Sequence, residues 1–170
     1  IAVCSIMMAA ATSSLAWSIN SSAAKLKPTR TVVYKKVGNR ELHLYIFDPE
    51  GFRKGDKHPC FLSIHGGGWT GLSALRQYPF AEYFTKLGMV SICVEYRLFK
   101  KGSKSTVYDC VRDARSAVRY ARKHAAELGI DPNKIVVNGG SAGGHLAVAT
   151  ELFDGIDAPG DDTKTSCKPD

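Results

Sequence analysis

Residues 136–147 read Val-Val-Asn-Gly-Gly-Ser-Ala-Gly-Gly-His-Leu-Ala. No other stretch constrains the chain so tightly. The apolar start predicts a buried strand, the glycines a turn almost free of side chains, and the residues from Gly144 onward a helix. Gly139-Gly140-Ser141-Ala142-Gly143 fits the pattern G-x-S-x-G. A serine forced into a sharp strand-to-helix turn takes a strained backbone and crowds the residues two positions to either side. Glycine at 139 and 143 lets the strand and helix pass that closely. The hydroxyl is then held clear of the sheet, beside N–H groups that open a helix and face negative charge. A glycine-rich turn with an ordinary serine would read the same way, so the rest of the chain must discriminate.

With 170 residues, 44% of them hydrophobic and 23% charged, the chain is large enough and apolar enough for one domain with a core. The net charge is +7, but its lysines and arginines are scattered except for Arg97, Lys100, Lys101 and Lys104. With no aromatic platform or nucleic-acid motif beside it, that run reads as a solvated loop, and no nucleic-acid partner is expected. Residues 1–19 carry no charge, and Ser14-Leu15-Ala16 offers small residues for cleavage. Residues 1–27 are therefore expected to be an export signal and linker, giving a periplasmic or extracellular protein without stable membrane insertion after cleavage. A membrane anchor is the alternative, because the uncharged run just reaches the ~17–25 residues a span needs. The start at Ile1 and the polar run 157–170 lead to the expectation that the chain is part of a longer protein, truncated at its C-terminus and at its N-terminus. The five cysteines show no zinc, redox or disulfide spacing; Cys60 and Cys93 read as small buried hydrophobes.

In chain order, residues 31–37 and 41–47 read as two strands of an antiparallel hairpin turned at Gly38-Asn39. Residues 59–64 and 90–96 are apolar runs of the kind buried on both faces of a parallel sheet. Helices are expected at 78–87, with Phe80, Tyr83, Phe84 and Leu87 on one face, at 107–128, and at 144–153. In the second helix, Val111, Ala114, Ala117, Val118, Ala121 and Ala125 form the apolar stripe and the arginines fill the remainder. A strand at 134–138 leads into the serine turn. This order predicts an α/β fold: a doubly wound, mostly parallel sheet with an N-terminal antiparallel pair, occupying residues 28–170.

A second motif, His65-Gly66-Gly67-Gly68-Trp69, also follows a buried strand. Loops at the C-terminal ends of parallel strands gather along one sheet edge, so the triple glycine and the serine turn should face each other. Consecutive glycines expose backbone N–H groups that can stabilise the oxyanion formed when a serine attacks a carbonyl. With Glu95-Tyr96-Arg97-Leu98 and Gly129-Ile130-Asp131-Pro132-Asn133-Lys134-Ile135, the chain resembles the α/β-hydrolase superfamily. Within it, the chain is similar to the HGGG-type esterases and lipases, the hormone-sensitive-lipase-like and feruloyl or acetyl esterase-like groups. The resemblance covers roughly residues 32–153 and corresponds to the N-terminal part of that fold. It implies Ser141 as nucleophile and the backbone N–H groups of Gly67, Gly68 and Ala142 as the oxyanion hole. It gives His65 and Gly66 a bracing role in the loop. Trp69 would line a substrate pocket or pack under the loop.

Serine needs a base, and the base an orienting acid. The superfamily order is Ser, then Asp or Glu, then His. His145 is the only histidine after Ser141 and sits one helical turn along, where it reads as structural. The triad acid and base are therefore unknown and expected beyond Asp170, and these 170 residues alone are expected to be nearly inactive. The resulting expectation is a serine hydrolase of small acyl or carbohydrate-linked esters, acting through an acyl-enzyme on Ser141, with no metal or organic cofactor. An amidase or formamidase-like hydrolase, and a non-catalytic binding protein on the same fold, remain alternatives. Acyl and alcohol preference and oligomeric state are not legible.

Overall fold

The computed structural model describes residues 23–170. The expected export segment, with Cys4, lies outside the described residues. Five strands form one sheet: β1 (Arg30–Val37), β2 (Arg40–Phe47), β3 (His58–Ile64), β4 (Val90–Val94) and β5 (Ile130–Gly139). Their order is β1-β2-β4-β3-β5. β4, β3 and β5 run parallel, whereas β2 lies antiparallel to β4 and β1 antiparallel to β2. The N-terminal antiparallel pair therefore takes one edge and the serine-bearing strand the other. All five residues of β4 are buried, as a strand covered on both faces requires.

Alternation along the strands sorts side chains between two layers. Leu62, Ile64, Ile92 and Val94 join the larger core with Cys110, Ala114, Ala117, Val118 and Ala121 of α2 (Val107–Lys123) and Leu146 and Ala149 of α4 (Ala142–Leu152). The alternate residues serve α1 (Tyr78–Lys86) and the 3-10 turn before it. Cys93 packs with Ala74, Tyr78 and Ala81. Phe61 stacks on Phe84 at 3.9 Å. The Ser63 hydroxyl donates to Gln77 Oε1 at 2.7 Å in the buried layer. Ala23 and Leu26 pack into this smaller core as well. Cys60 and Cys93 are fully buried, and burial pushes the Cys60 thiol up to about 12. Among the described residues no helix is long and apolar enough to cross a membrane.

Several sequence expectations are corrected. The helix expected at 107–128 breaks at His124, whose ring stacks on Tyr120 at 4.2 Å while Nδ1 meets Glu127 at 3.1 Å. A short α3 (Ala125–Leu128) follows, and β5 then begins at Ile130, four residues earlier than expected. On α1 the helical apolar stripe is not the core face. Tyr78 and Ala81 are buried, while Phe80, Tyr83 and Leu87 are at least half exposed. Phe80 and Tyr83 instead line an apolar groove with Phe61, Pro79 and Phe84, next to Asn138 of β5.

The charged residues are also less solvated than their pattern suggests. Arg97 donates from Nε at 2.7 Å and from its terminal nitrogen at 2.8 Å to the fully buried Asp113, which Lys35 also meets at 3.0 Å. Arg97 is thus tied, partly buried, to an interior carboxylate and does not belong to the solvated run. Arg115 and Arg119 of α2 are buried and share Asp157 at 2.9 and 2.6 Å. The polar run 157–170 is consequently strapped to the domain. Cys167 enters the larger core, and the Asp170 carboxylate accepts the Ile135 N–H at 3.0 Å.

Candidate active site

The site grows out of the ends of β3 and β5, which are neighbours in register: Ile64 pairs with Gly139. The loops leaving these two strands must therefore meet. β5 ends at Gly139 and α4 starts at Ala142, which leaves two residues to reverse the chain. Ser141 makes the turn with φ 54° and ψ −124°, a conformation costly for any residue with a side chain. Two glycines permit it. A Cβ on Gly139 would lie 2.3 Å from the Gly143 backbone, and one on Gly143 would lie 2.1 Å from Ile64 O. The helix thus sits directly on the end of β3, and the Ser141 side chain is left exposed.

The triple-glycine loop closes against this turn. A Cβ on Gly66 would stand 2.7 Å from Gly140 O and 3.4 Å from Ser141 Cβ, so only a bare backbone can approach. Gly67 O accepts the N–H groups of Thr70 and Gly71, each at 3.1 Å, folding the loop into a tight turn. The N–H groups of Gly67 and Gly68 have no acceptor among the described residues. Ala142 N–H opens α4 and has no acceptor within its helix. The Gly66 backbone and the exposed Ser141 thereby meet at the N-terminal, positive end of the α4 dipole, where the Ala142 N–H has no helical partner.

His65 sits beneath the loop, buried, with its ring stacked on Tyr96 at 4.3 Å. Its Nδ1 donates to Gly66 O at 2.7 Å, and its own carbonyl accepts the Tyr96 hydroxyl at 2.9 Å. Burial holds the imidazole pKa below its ordinary value, against the opposing bond to Gly66 and the Glu95 charge. His65 therefore stays neutral at pH 7 and braces the backbone. Trp69 does two things at once. Its ring packs on the larger core and meets the edge of His145 at 5.3 Å, while its carbonyl accepts Phe99 N–H at 2.8 Å. The Trp69 indole N–H is buried without a partner.

The sequence counts Tyr96 and Arg97 toward the family resemblance but gives neither them nor Asp113 a role in the site; Tyr96 and the Arg97–Asp113 pair anchor the loop's underside and the segment leaving β4. A tyrosine closing an apolar strand and an aspartate on the apolar stripe of α2 were the available signals. No histidine ring among the described residues is hydrogen-bonded to the Ser141 hydroxyl. His43 meets Glu95, His58 meets Asp56 and Gly88 O, His65 meets Gly66 O, His124 meets Glu127, and His145 lies between the rings of Trp69 and Phe153. Among the described residues no cluster of three or more His, Cys, Asp or Glu side chains is arranged to hold a metal.

With this geometry in hand, known proteins give a consistent picture. The apo form of Thermogutta terrifontis esterase 2 superimposes with a TM-score of 0.79 at 44% identity, over 82% of this chain and 52% of that one. The same esterase is known phosphorylated by paraoxon and with propionate bound. An AB hydrolase superfamily protein of Schizosaccharomyces pombe is 38% identical over 60% of this chain and 29% of its own length. Esterase LipQ of Mycobacterium tuberculosis is 31% identical over 68% of this chain and 27% of its own. The chain thus spans about half the length of the solved esterase and under a third of these curated relatives. The BD-FAE family model matches residues 44–165, from the middle of β2 through the strap that follows α4. The chain carries an α/β-hydrolase fold and belongs to the BD-FAE family.

Proposed function

We propose that this chain is the nucleophile-bearing part of a serine-type carboxylic ester hydrolase. Ser141 Oγ attacks the ester carbonyl. The oxygen that becomes negative accepts hydrogen bonds from the N–H groups of Gly67, Gly68 and Ala142. The alcohol departs with a proton, leaving an acyl group on Ser141, and water then releases the acid and restores the hydroxyl. The observation that carries this reading is the strained, exposed Ser141 held against a bare-backbone loop whose donors have no other acceptor. The esterase relatives support it, as does the covalent phosphorylation of the Thermogutta enzyme by paraoxon.

The base that takes the Ser141 proton is inferred to come, with its orienting acid, from beyond Asp170, because every histidine described here is engaged elsewhere. Residues 23–170 alone would bind an oxyanion but activate the serine poorly. The uncharged run 1–19 supports export of the protein.

The test is a fluorophosphonate probe on the complete polypeptide, with mass-spectrometric mapping of the labelled residue, followed by a panel of short acyl esters and formamides. Labelling at Ser141 with turnover of esters is expected. An unlabelled Ser141 would sink the reading, and turnover confined to formamides would replace it with an amidase.

A further inference from the structure

Beside the serine turn lies a cavity of about 450 Å³ that the reaction described above does not use. It is lined by Val107, Tyr108 and Val111 from the first turns of α2, by His145 on α4, and by Phe153 and Ile156 where the chain leaves α4. We infer that this cavity receives the apolar acyl portion of the ester, and that Val107, Phe153 and Ile156 set the acyl length the enzyme accepts. The inference rests on the esterase reading of Ser141.

Three observations carry it. The first is position. His145 stands one turn beyond Ser141, its N–H bonded to Ser141 O at 3.1 Å, so the cavity begins about 6 Å along the helix axis from the nucleophile. It opens on the same sheet edge as the glycine loop, because α2 begins in the segment that follows β4 and Trp69 of the loop touches His145 at 5.3 Å. The second is chemistry. Four of the six lining residues are purely hydrocarbon, and the other two offer rings: the His145 imidazole, edge-on to Trp69, and the Tyr108 phenol. No carboxylate, ammonium or guanidinium lines the wall, so nothing there pairs with a full charge, and the Tyr108 hydroxyl and His145 ring nitrogens are its only polar groups. The third is construction. The far wall is fixed by the buried Arg115, which donates to the carbonyls of Ala149 and Phe153 and to Asp157. These bonds hold Phe153 and Ile156 in place as the chain turns away from α4, and a fixed wall is what makes a pocket measure length.

An acyl chain occupying the cavity gains by leaving water, each methylene adding a few-fold to kcat/KM while room remains. Filling the cavity should therefore penalise long acyl groups selectively. Ile156→Trp and Val107→Trp fill it from opposite walls, and neither residue is fully buried, so the fold need not repack around them. The readout is the ratio of kcat/KM for p-nitrophenyl hexanoate to that for p-nitrophenyl acetate, measured on the complete polypeptide. A parallel series of methyl, butyl and hexyl acetates varies the alcohol instead. Leu87→Trp, at the residue that caps the C-terminus of α1 and is 62% exposed, is the control.

Both cavity-filling variants should lower the hexanoate-to-acetate ratio at least ~10-fold, with the alcohol series parallel to wild type and the control ratio unmoved. An unmoved ratio in both variants, or a change confined to the alcohol series, would overturn the assignment while leaving the esterase reading intact. If the wild type hydrolyses no ester of either series, the esterase reading falls first and this inference with it.

Discussion

Replacing Gly143 with alanine tests the packing that creates the serine turn, and Gly140→Ala supplies its internal control. The new Cβ at 143 would stand 2.1 Å from Ile64 O and 2.8 Å from both the carbon and the oxygen of the His65 carbonyl. Those atoms are backbone, at the end of a buried strand paired on both sides, and cannot swing away as a side chain would. Real Cβ atoms essentially never approach within 3.0 Å, so α4 must retreat by about 1 Å. Overpacking of this kind costs about 3 kcal/mol, or ~6–12 °C in Tm for a domain of this size. The retreat also carries Ala142 N–H and Ser141 away from the glycine loop, and a 1 Å displacement is worth ~100-fold in rate. A Cβ at Gly140 meets nothing within 4 Å, although it lies only three residues away. Gly140→Ala should therefore match wild-type Tm or exceed it slightly through loss of unfolded-chain entropy. The assay pairs thermal unfolding with the rate of fluorophosphonate labelling in the complete polypeptide. If Gly143→Ala labels as fast as Gly140→Ala and melts within ~2 °C of it, the packing account of the turn is wrong.

Ser141→Gly should raise Tm by ~2–4 °C while abolishing labelling, because glycine relieves a positive-φ strain of ~1 kcal/mol; a lowered Tm would contradict the strain. Asp157→Asn should cost about 2–4 kcal/mol at pH 7 by leaving buried Arg115 and Arg119 without their shared carboxylate. Burial opposes ionisation of Asp157, but the two guanidiniums outweigh it and hold its pKa below the usual carboxylate value. That contribution is present above the unfolded value of ~3.9 and is lost as pH falls through the lower folded value. Urea titrations should therefore show the gap between wild type and variant narrowing from pH 7 to pH 3, and a constant gap would refute the linkage. Residues 23–170 produced alone should self-associate, since β5 has one unpaired edge among the described residues and lies beside exposed Phe80, Tyr83 and Val136. Phe80→Glu with Val136→Lys should shift light scattering toward monomer, and a monomeric parent would dispose of the idea.

The sheet was legible because its strands carry the period and apolarity that burial on two faces demands. β3 and β4 could not be mistaken for solvated strands, and the turn glycines fixed where β5 gives way to α4. What escaped was whatever depends on a partner distant in sequence. Arg115 and Arg119 look like the polar side of α2 until Asp157 and Asp161, some forty residues on, are folded against them. Asp113 looks misplaced on an apolar stripe until Arg97 and Lys35 arrive. The α1 stripe misled for a related reason. Periodicity marks an apolar face but not what it faces, and here Phe80 and Tyr83 face a groove at the open edge of the sheet. Within the site, the glycines announced themselves because close approach excludes every other residue. Tyr96 did not, since a buried tyrosine closing a strand is ordinary until its hydroxyl is seen on His65 O.

Among the described residues, positive φ is found at three non-glycine positions: Trp69, Leu72 and Ser141. All three lie on the loops that leave β3 and β5, the only loops that form the candidate site. Such residues cost about 1–3 kcal/mol each and persist where the surroundings overdetermine them. Here those surroundings are mostly backbone: Gly143 against Ile64 O, Gly66 against Gly140 O, Phe99 N–H on Trp69 O, and the Tyr96 hydroxyl on His65 O. Ser141 and the glycine loop are thus positioned by main-chain contacts within the β3–β5 core, independently of the general base that the proposed mechanism requires. A base delivered by another element would change how fast Ser141 attacks without changing where the oxyanion is held. In the complete polypeptide, loss of the base should therefore leave affinity for a tetrahedral oxyanion mimic largely intact, whereas Gly143→Ala should weaken both binding and attack.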